Sequence, residues 1–345
     1  MFLFSLGESS PGSGESQFDE FNFSILKDRG FEEMDFESLA EACHQAPLKS
    51  LLESDSEGNS LWHSFARKVD SNSTEIKEII RNQPKNEVLL KATENAKNKS
   101  TILHILASNH NSHEILLDIL VEFLPGEKDT ILKQGNANGK TIFHILSETA
   151  KEGTSLKTLE YVLHLYKNVK VENPLNLAIM SSNTEGAKLL MDNDYKLTTG
   201  LNVLQSSIKY SNPNLVKYVL QKFPDLRLQL DKKGASPLHH AVNLTGIDKN
   251  AERGSGTIQN YKQLRIDILM VLLENDVSDV DHQNSEKDNC LHAAISFGFP
   301  EAVLTIIEHL QPKGGNEMRR KRSANREDHQ SSGKTCYSIC CICTI

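Results

Sequence analysis

The sequence predicts an all-α protein built from a row of short helix pairs, and three observations carry that expectation. A turn-and-cap motif recurs along the chain. Each copy leads to a second segment whose apolar residues fall at helical spacing. Hydrophobic residues make up 38% of the 345 residues and aromatics only 6%, with one Trp. Such a composition suits many thin helix pairs better than one large core.

The clearest copy is DKKGASPLHHAV, Asp231 to Val242. Asp231 and Gly234 predict a tight turn, since glycine adopts positive φ at little steric cost. Ser236 is placed as an N-cap, with an oxygen for a free backbone N–H. Pro237 suits the first helical position, where its missing N–H costs nothing. Leu238, Ala241 and Val242 share one apolar face, and His239 stands three residues after the cap.

The motif recurs as DSEGNSLWHSFA with Gly58, Ser60 and His63, as STILHILA with Thr101 and His104, and as NANGKTIFHIL with Asn136, Gly139, Thr141 and His144. NSEKDNCLHAAI follows downstream, with His292. Two eroded copies are NPLNLAI, from Asn173, and GLNVLQSS, with Asn202 and Gln205. The cap positions are 60, 101, 141, 173, 202, 236 and 289, at spacings of 41, 40, 32, 29, 34 and 53. The period is loose, with insertions in both flanks.

Turn, cap, proline, leucine, histidine and alanine in this order resemble the ankyrin repeat, over about Leu39 to Gln311. The resemblance implies a solenoid of about seven to eight helix pairs joined by hairpin-like turns, with a groove lined by turn tips and inner helices. It also implies that the histidine ring ties each turn to its neighbour by hydrogen bonds. Asn176 and Gln205 take its place in the eroded copies and can still donate or accept.

Taken in order, residues 1–37 carry nine acids and two bases, about −7, and are expected to be a flexible, disordered acidic tail with serines open to phosphorylation. The array is expected over 38–311. Leu39 to Glu53 reads as a partial first copy, as terminal repeats have one face without a neighbour. Second-helix stripes follow at Ile76, Ile79 and Ile80, then Ile115, Leu116, Ile119 and Leu120, then Leu156, Leu159, Val162 and Leu163. Further stripes are Leu189 and Leu190, then Leu215, Val216, Val219 and Leu220. The last are Ile268, Leu269, Leu272 and Leu273, then Val303, Ile306, Ile307 and Leu310. A polar insertion over 243–263 is expected to be a disordered loop. Residues 312–345 carry seven bases and three acids, about +4, and read as a basic, cysteine-rich, disordered tail.

The net charge of −8 argues against nucleic acid as the main partner, because phosphate binding needs a basic surface. No signal peptide is expected, since Met1–Leu6 is too short for an apolar core and no bases precede it. No run approaches the length of a membrane span. Cys43 and Cys290 lie in the repeat region and the other four cysteines crowd the last ten residues, which is no disulfide framework and points to a reducing compartment.

The repeated histidines invite a metal or catalytic reading. They occur once per copy at one structural position, so they are spread along the row and do not converge. Cys43 and His44 are sequence neighbours that point apart on a helix. No phosphate-binding loop, zinc-binding helix or nucleophile elbow occurs. No cofactor, metal or catalytic residue is therefore expected, and the function expected is protein binding without catalysis by a monomeric adaptor or inhibitor in the cytoplasm. Exposed turn residues Glu57, Asn59, Lys140, Lys232 and Lys233 are the candidate partner contacts. Cys336, Cys340, Cys341 and Cys343 lack paired zinc-ligand spacing. Prenylation at the chain end is excluded, as the fourth residue from the end is Ile342. Reversible S-acylation of these cysteines, helped by the upstream basic run, would anchor the chain at a membrane, and a functionless tail is the alternative. Arg319 to Arg322 also fits a nuclear-import patch.

Within the ankyrin family, Leu89–Ser108 and Thr130–Ser147 resemble the lengthened repeats of the inhibitors of NF-κB, which also carry an acidic N-terminal region. That resemblance implies cytoplasmic retention of a Rel-type transcription factor. Ser13 and Ser16 depart from that family's degron in spacing and in lacking a preceding Asp, and a basic cysteine tail replaces its acidic C-terminal segment. Loosely spaced ankyrin arrays are also similar to effectors of intracellular bacteria.

Overall fold

The computed structural model describes residues 34–45, 53–55, 58–69, 78, 99–123, 128–166, 173–197, 200–245, 255–275 and 280–311. The described residues are helical, with no strand and one isolated bridge between Ser54 and Ser60. They fall into two compact units divided after Leu226.

In the first unit α1 is Phe36–Gln45, α2 Leu61–Lys68, α3 Ile102–Ser108, α4 His113–Phe123, α5 Lys128–Lys133 and α6 Ile142–Thr149. There follow α7 Gly153–Leu165, α8 Pro174–Met180, α9 Thr184–Asp192, α10 Val203–Lys209 and α11 Pro213–Lys222. The short helices α1, α2, α3, α6 and α8 pack successively on one another, and α4, α7, α9 and α11 do the same beside them. The second unit holds α12 Pro237–Val242, α13 Ser255–Glu274, α14 Cys290–Ser296 and α15 Pro300–Leu310. There α12 packs on α13 and α14, and α15 on α13 and α14.

Each of the seven expected caps is the residue before a helix. The stripe residues Ile115, Leu116, Ile119 and Leu120 of α4, and Leu215, Val216, Val219 and Leu220 of α11, are all buried. Their i, i+3, i+4 spacing points them at a single neighbouring layer. Phe143 anchors the middle of the first unit, its ring 5.0 Å from Tyr166 and 5.6 Å from Tyr195. Burial pushes the Tyr166 phenol up to about 12, and its hydroxyl donates to the Leu132 carbonyl.

Two expectations need correction, and three others fall outside the described residues. The acidic tail does not extend to residue 37, because Asp35 caps a helix starting at Phe36, its carboxylate accepting from Ser38 N at 2.8 Å. The polar stretch 243–263 is not loop throughout, since α13 begins at Ser255. The second-helix stripe at Ile76–Ile80, the first tail and the cysteine tail fall outside the described residues.

Candidate functional site

The recurring feature is a turn followed by a capped helix. Four turns share one hydrogen-bond plan: 55–59, 136–140, 231–235 and 284–288. In each, the first residue is Asp or Asn. Its N–H donates to the carbonyl four residues on, and its own carbonyl accepts from the N–H three residues on. Its side-chain oxygen accepts from the fifth residue's N–H at 2.8–3.0 Å. The fourth residue must take positive φ, and Gly58, Gly139 and Gly234 do so at 82°, 71° and 69°. In the last turn Lys287 takes 65° instead.

The fifth residue leads to the cap, and here the histidine acts. In the copies capped by Ser60, Thr101, Thr141, Ser236 and Asn289, the cap's backbone N–H donates to Nδ1 of the histidine three residues on, at 3.1–3.3 Å. Nδ1 is therefore the unprotonated nitrogen, and Nε2–H remains to donate elsewhere. His63 Nε2 donates to the Ser100 carbonyl at 2.7 Å, and His239 Nε2 to the Asp288 carbonyl at 2.9 Å. Both acceptors stand immediately before the next copy's cap. Gln205 reproduces the inner half of this arrangement, its Oε1 accepting from Asn202 N at 3.2 Å. Asn176 does not: it is half-buried on α8, its amide directed at Met180 Sδ.

Burial holds the His63 and His239 rings below the ordinary imidazole value, against the opposing pull of the carbonyls they reach. His104 is lowered to about 4, again by burial first. Its Nε2 finds no partner within hydrogen-bond distance, although the Gln134 and Lys140 carbonyls are near enough to favour its charged form. Burial thus favours the neutral form of the His63, His104 and His239 rings. Among the described residues no group of three His, Cys, Asp or Glu side chains is arranged to hold a metal ion.

A second link between copies escaped the sequence reading. Asn183 is fully buried between α8 and α9. Its amide donates to the Ser147 and Ala150 carbonyls of the preceding pair, both at 2.8 Å, while its oxygen caps α9 at Gly186 N, 3.0 Å. Asn109 reaches the Val69 carbonyl in the same way at 2.9 Å.

The expected partner contacts fare unequally. Lys232 and Lys233 are exposed at the tip of the turn 231–235. Lys140 ion-pairs with Glu148 at 2.6 Å. Asn59 is not an exposed contact: it is buried, and its side-chain oxygen accepts from Arg67 Nη2 at 2.8 Å. The fifth turn position faces the helix that the turn introduces, which explains the error. Glu57 and Cys336, Cys340, Cys341 and Cys343 lie outside the described residues. Cys43 is buried, and desolvation pushes its thiol up, which leaves it unreactive.

Arg265 was also not anticipated. It is buried on α13, donating to Tyr261 Oη at 2.6 Å and to the His240 carbonyl at 3.0 Å. His240 Nε2 lies 3.2 Å from Asp231 Oδ2, which brings the turn with Lys232 and Lys233 beside α12. No helix among the described residues is long and apolar enough to cross a membrane.

No protein-family model matches the chain, and no curated protein does.

Proposed function

We propose that the chain is an ankyrin-repeat protein that binds another protein along its turn tips and the short helices behind them, without catalysis. The observation that carries this reading is the recurrence of one turn, one cap and one histidine bridge. A device used once can serve a local need. A device repeated with the same backbone hydrogen bonds supports turn tips of one shape, and such tips within a unit offer a surface for a macromolecule.

The turn tips are the part of the motif without packing duty. Lys232, Lys233, Ser285 and Glu286 are exposed, while the residues beneath them are buried or bonded. The Lys233 carbonyl accepts from Ser285 N at 2.9 Å, so these two tips are held in fixed relation.

Affinity purification with mass spectrometry tests the proposal when wild type is compared with Lys232→Glu/Lys233→Glu. One or more proteins recovered with wild type should fall about tenfold with the variant, at unchanged thermal melting. Equal recovery with both, or no protein above background, contradicts it.

A further inference from the structure

The surface with the most unexplained chemistry lies in the second unit, between α13 and α15. A groove of about 220 Å³ is lined by Met270, Leu273, Glu274, Thr305, Glu308 and His309. Beside it, α15 exposes Leu304 and Ile307, at 60% and 37%, and Met270 is 46% exposed. Leu304 and Glu308 are four residues apart, so apolar and acidic groups share one exposed arc of the helix. Glu274 and Glu308 make no ion pair with any described residue. The acid at the other end of α15, Glu301, has Lys262 at 3.8 Å as its ion-pair partner among the described residues.

An apolar cleft edged by two carboxylates without an ion-pair partner among the described residues is matched by an unbranched apolar side chain next to guanidinium groups. The sequence supplies that combination once, at Met318-Arg319-Arg320-Lys321-Arg322. Met318 stands seven positions beyond Gln311, where α15 has ended. Seven extended residues span roughly 23 Å, more than the roughly 16 Å length of α15 itself. Gly314 and Gly315 offer no steric bar to a reversal of direction.

We propose that Met318–Arg322 docks in this groove, with Met318 against Met270 and Leu273 and the arginines on Glu274 and Glu308. The contact covers the apolar side of α15 and withholds the basic run from other acidic partners. It is weakened by salt, because the charges that form it are partly solvated. The proposal does not depend on whether the turn tips bind a partner.

Limited trypsin digestion of the full chain tests it, with mass spectrometry following cleavage within Arg319–Arg322 and a synthetic peptide of residues 312–328 as reference. Cleavage in the full chain should be slower than in the peptide by about fivefold or more, and the ratio should approach one at about 0.5 M salt. Glu274→Lys/Glu308→Lys should remove the protection. Adding Arg319→Glu and Arg320→Glu to that variant should restore it at Lys321 and Arg322, which a merely destabilised fold would not do. Wild-type cleavage at the peptide's rate, or full protection retained in the charge-reversed chain, overturns the proposal.

Discussion

Helices α2 and α8 differ at their N-termini. At α2 a histidine bridges the helix N-terminus: His63 joins its own cap, Ser60, to the Ser100 carbonyl before the next cap. At α8 that device is gone. Asn173 sits at φ 63° with no side-chain cap bond, and the Asn176 amide turns to Met180 Sδ. The link at the other end of the helix is kept: Asn183, after α8, crosses to Ser147 and Ala150 just as Asn109, after α3, crosses to Val69. The buried polar link at the helix C-terminal end thus persists where the histidine at the N-terminal end is lost.

Breaking the Asn183 link should have the largest effect. Asn183→Ala leaves two buried carbonyls and one buried N–H without partners, and should cost about 3 to 4 kcal/mol in urea unfolding. Asn176→Ala, at the vacated histidine position, should change stability by less than about 0.5 kcal/mol. A comparable loss from both would erase the contrast.

Acid should act on the histidine copies. The His104 ring binds protons more weakly in the folded chain than in the unfolded one. Its contribution is therefore complete above about pH 6.5 and is lost as pH falls toward its folded value of about 4. That shift corresponds to about 3 kcal/mol across the window. Unfolding followed from pH 7 to pH 4 should show the loss, and His104→Gln should flatten it. His63 and His239 should add losses of the same sign.

Smaller effects separate cap from bridge. His63→Ala removes the acceptor for Ser60 N–H and the donor to Ser100, and should cost about 1 to 2 kcal/mol by chemical denaturation. Lys287→Gly should stabilise the second unit by about 0.5 to 1 kcal/mol, measured the same way, because a lysine there holds φ at 65°.

Much of the local fold was legible. A Ser, Thr or Asn followed three residues later by His or Gln marked six helix starts correctly, since the cap and its partner are both in the local sequence. The seventh start, at Asn173, was read from Pro174 and the apolar spacing. Lys287 was not legible as a turn residue, because the plan is set by the side chain of Asn284 and tolerates a residue other than glycine. Asn183 was missed because its partners are 33 and 36 positions away. The early start of α13 was missed because Tyr261 and Arg265 bury polar groups that bond to each other and to His240, which no apolar stripe reveals. Asn59 and Lys140 were read as solvated from their turn positions, but Arg67 and Glu148 reach back to them from the following helices.

The tautomer of the bridging histidines is the most direct measure of the central claim. Two-bond ¹H–¹⁵N correlation spectra of the imidazoles at pH 7 should show His63 and His239 as neutral rings protonated at Nε2, with Nδ1 bare. A proton on Nδ1 of both rings, or full imidazolium at that pH, would mean that neither ring joins its cap to the copy that follows.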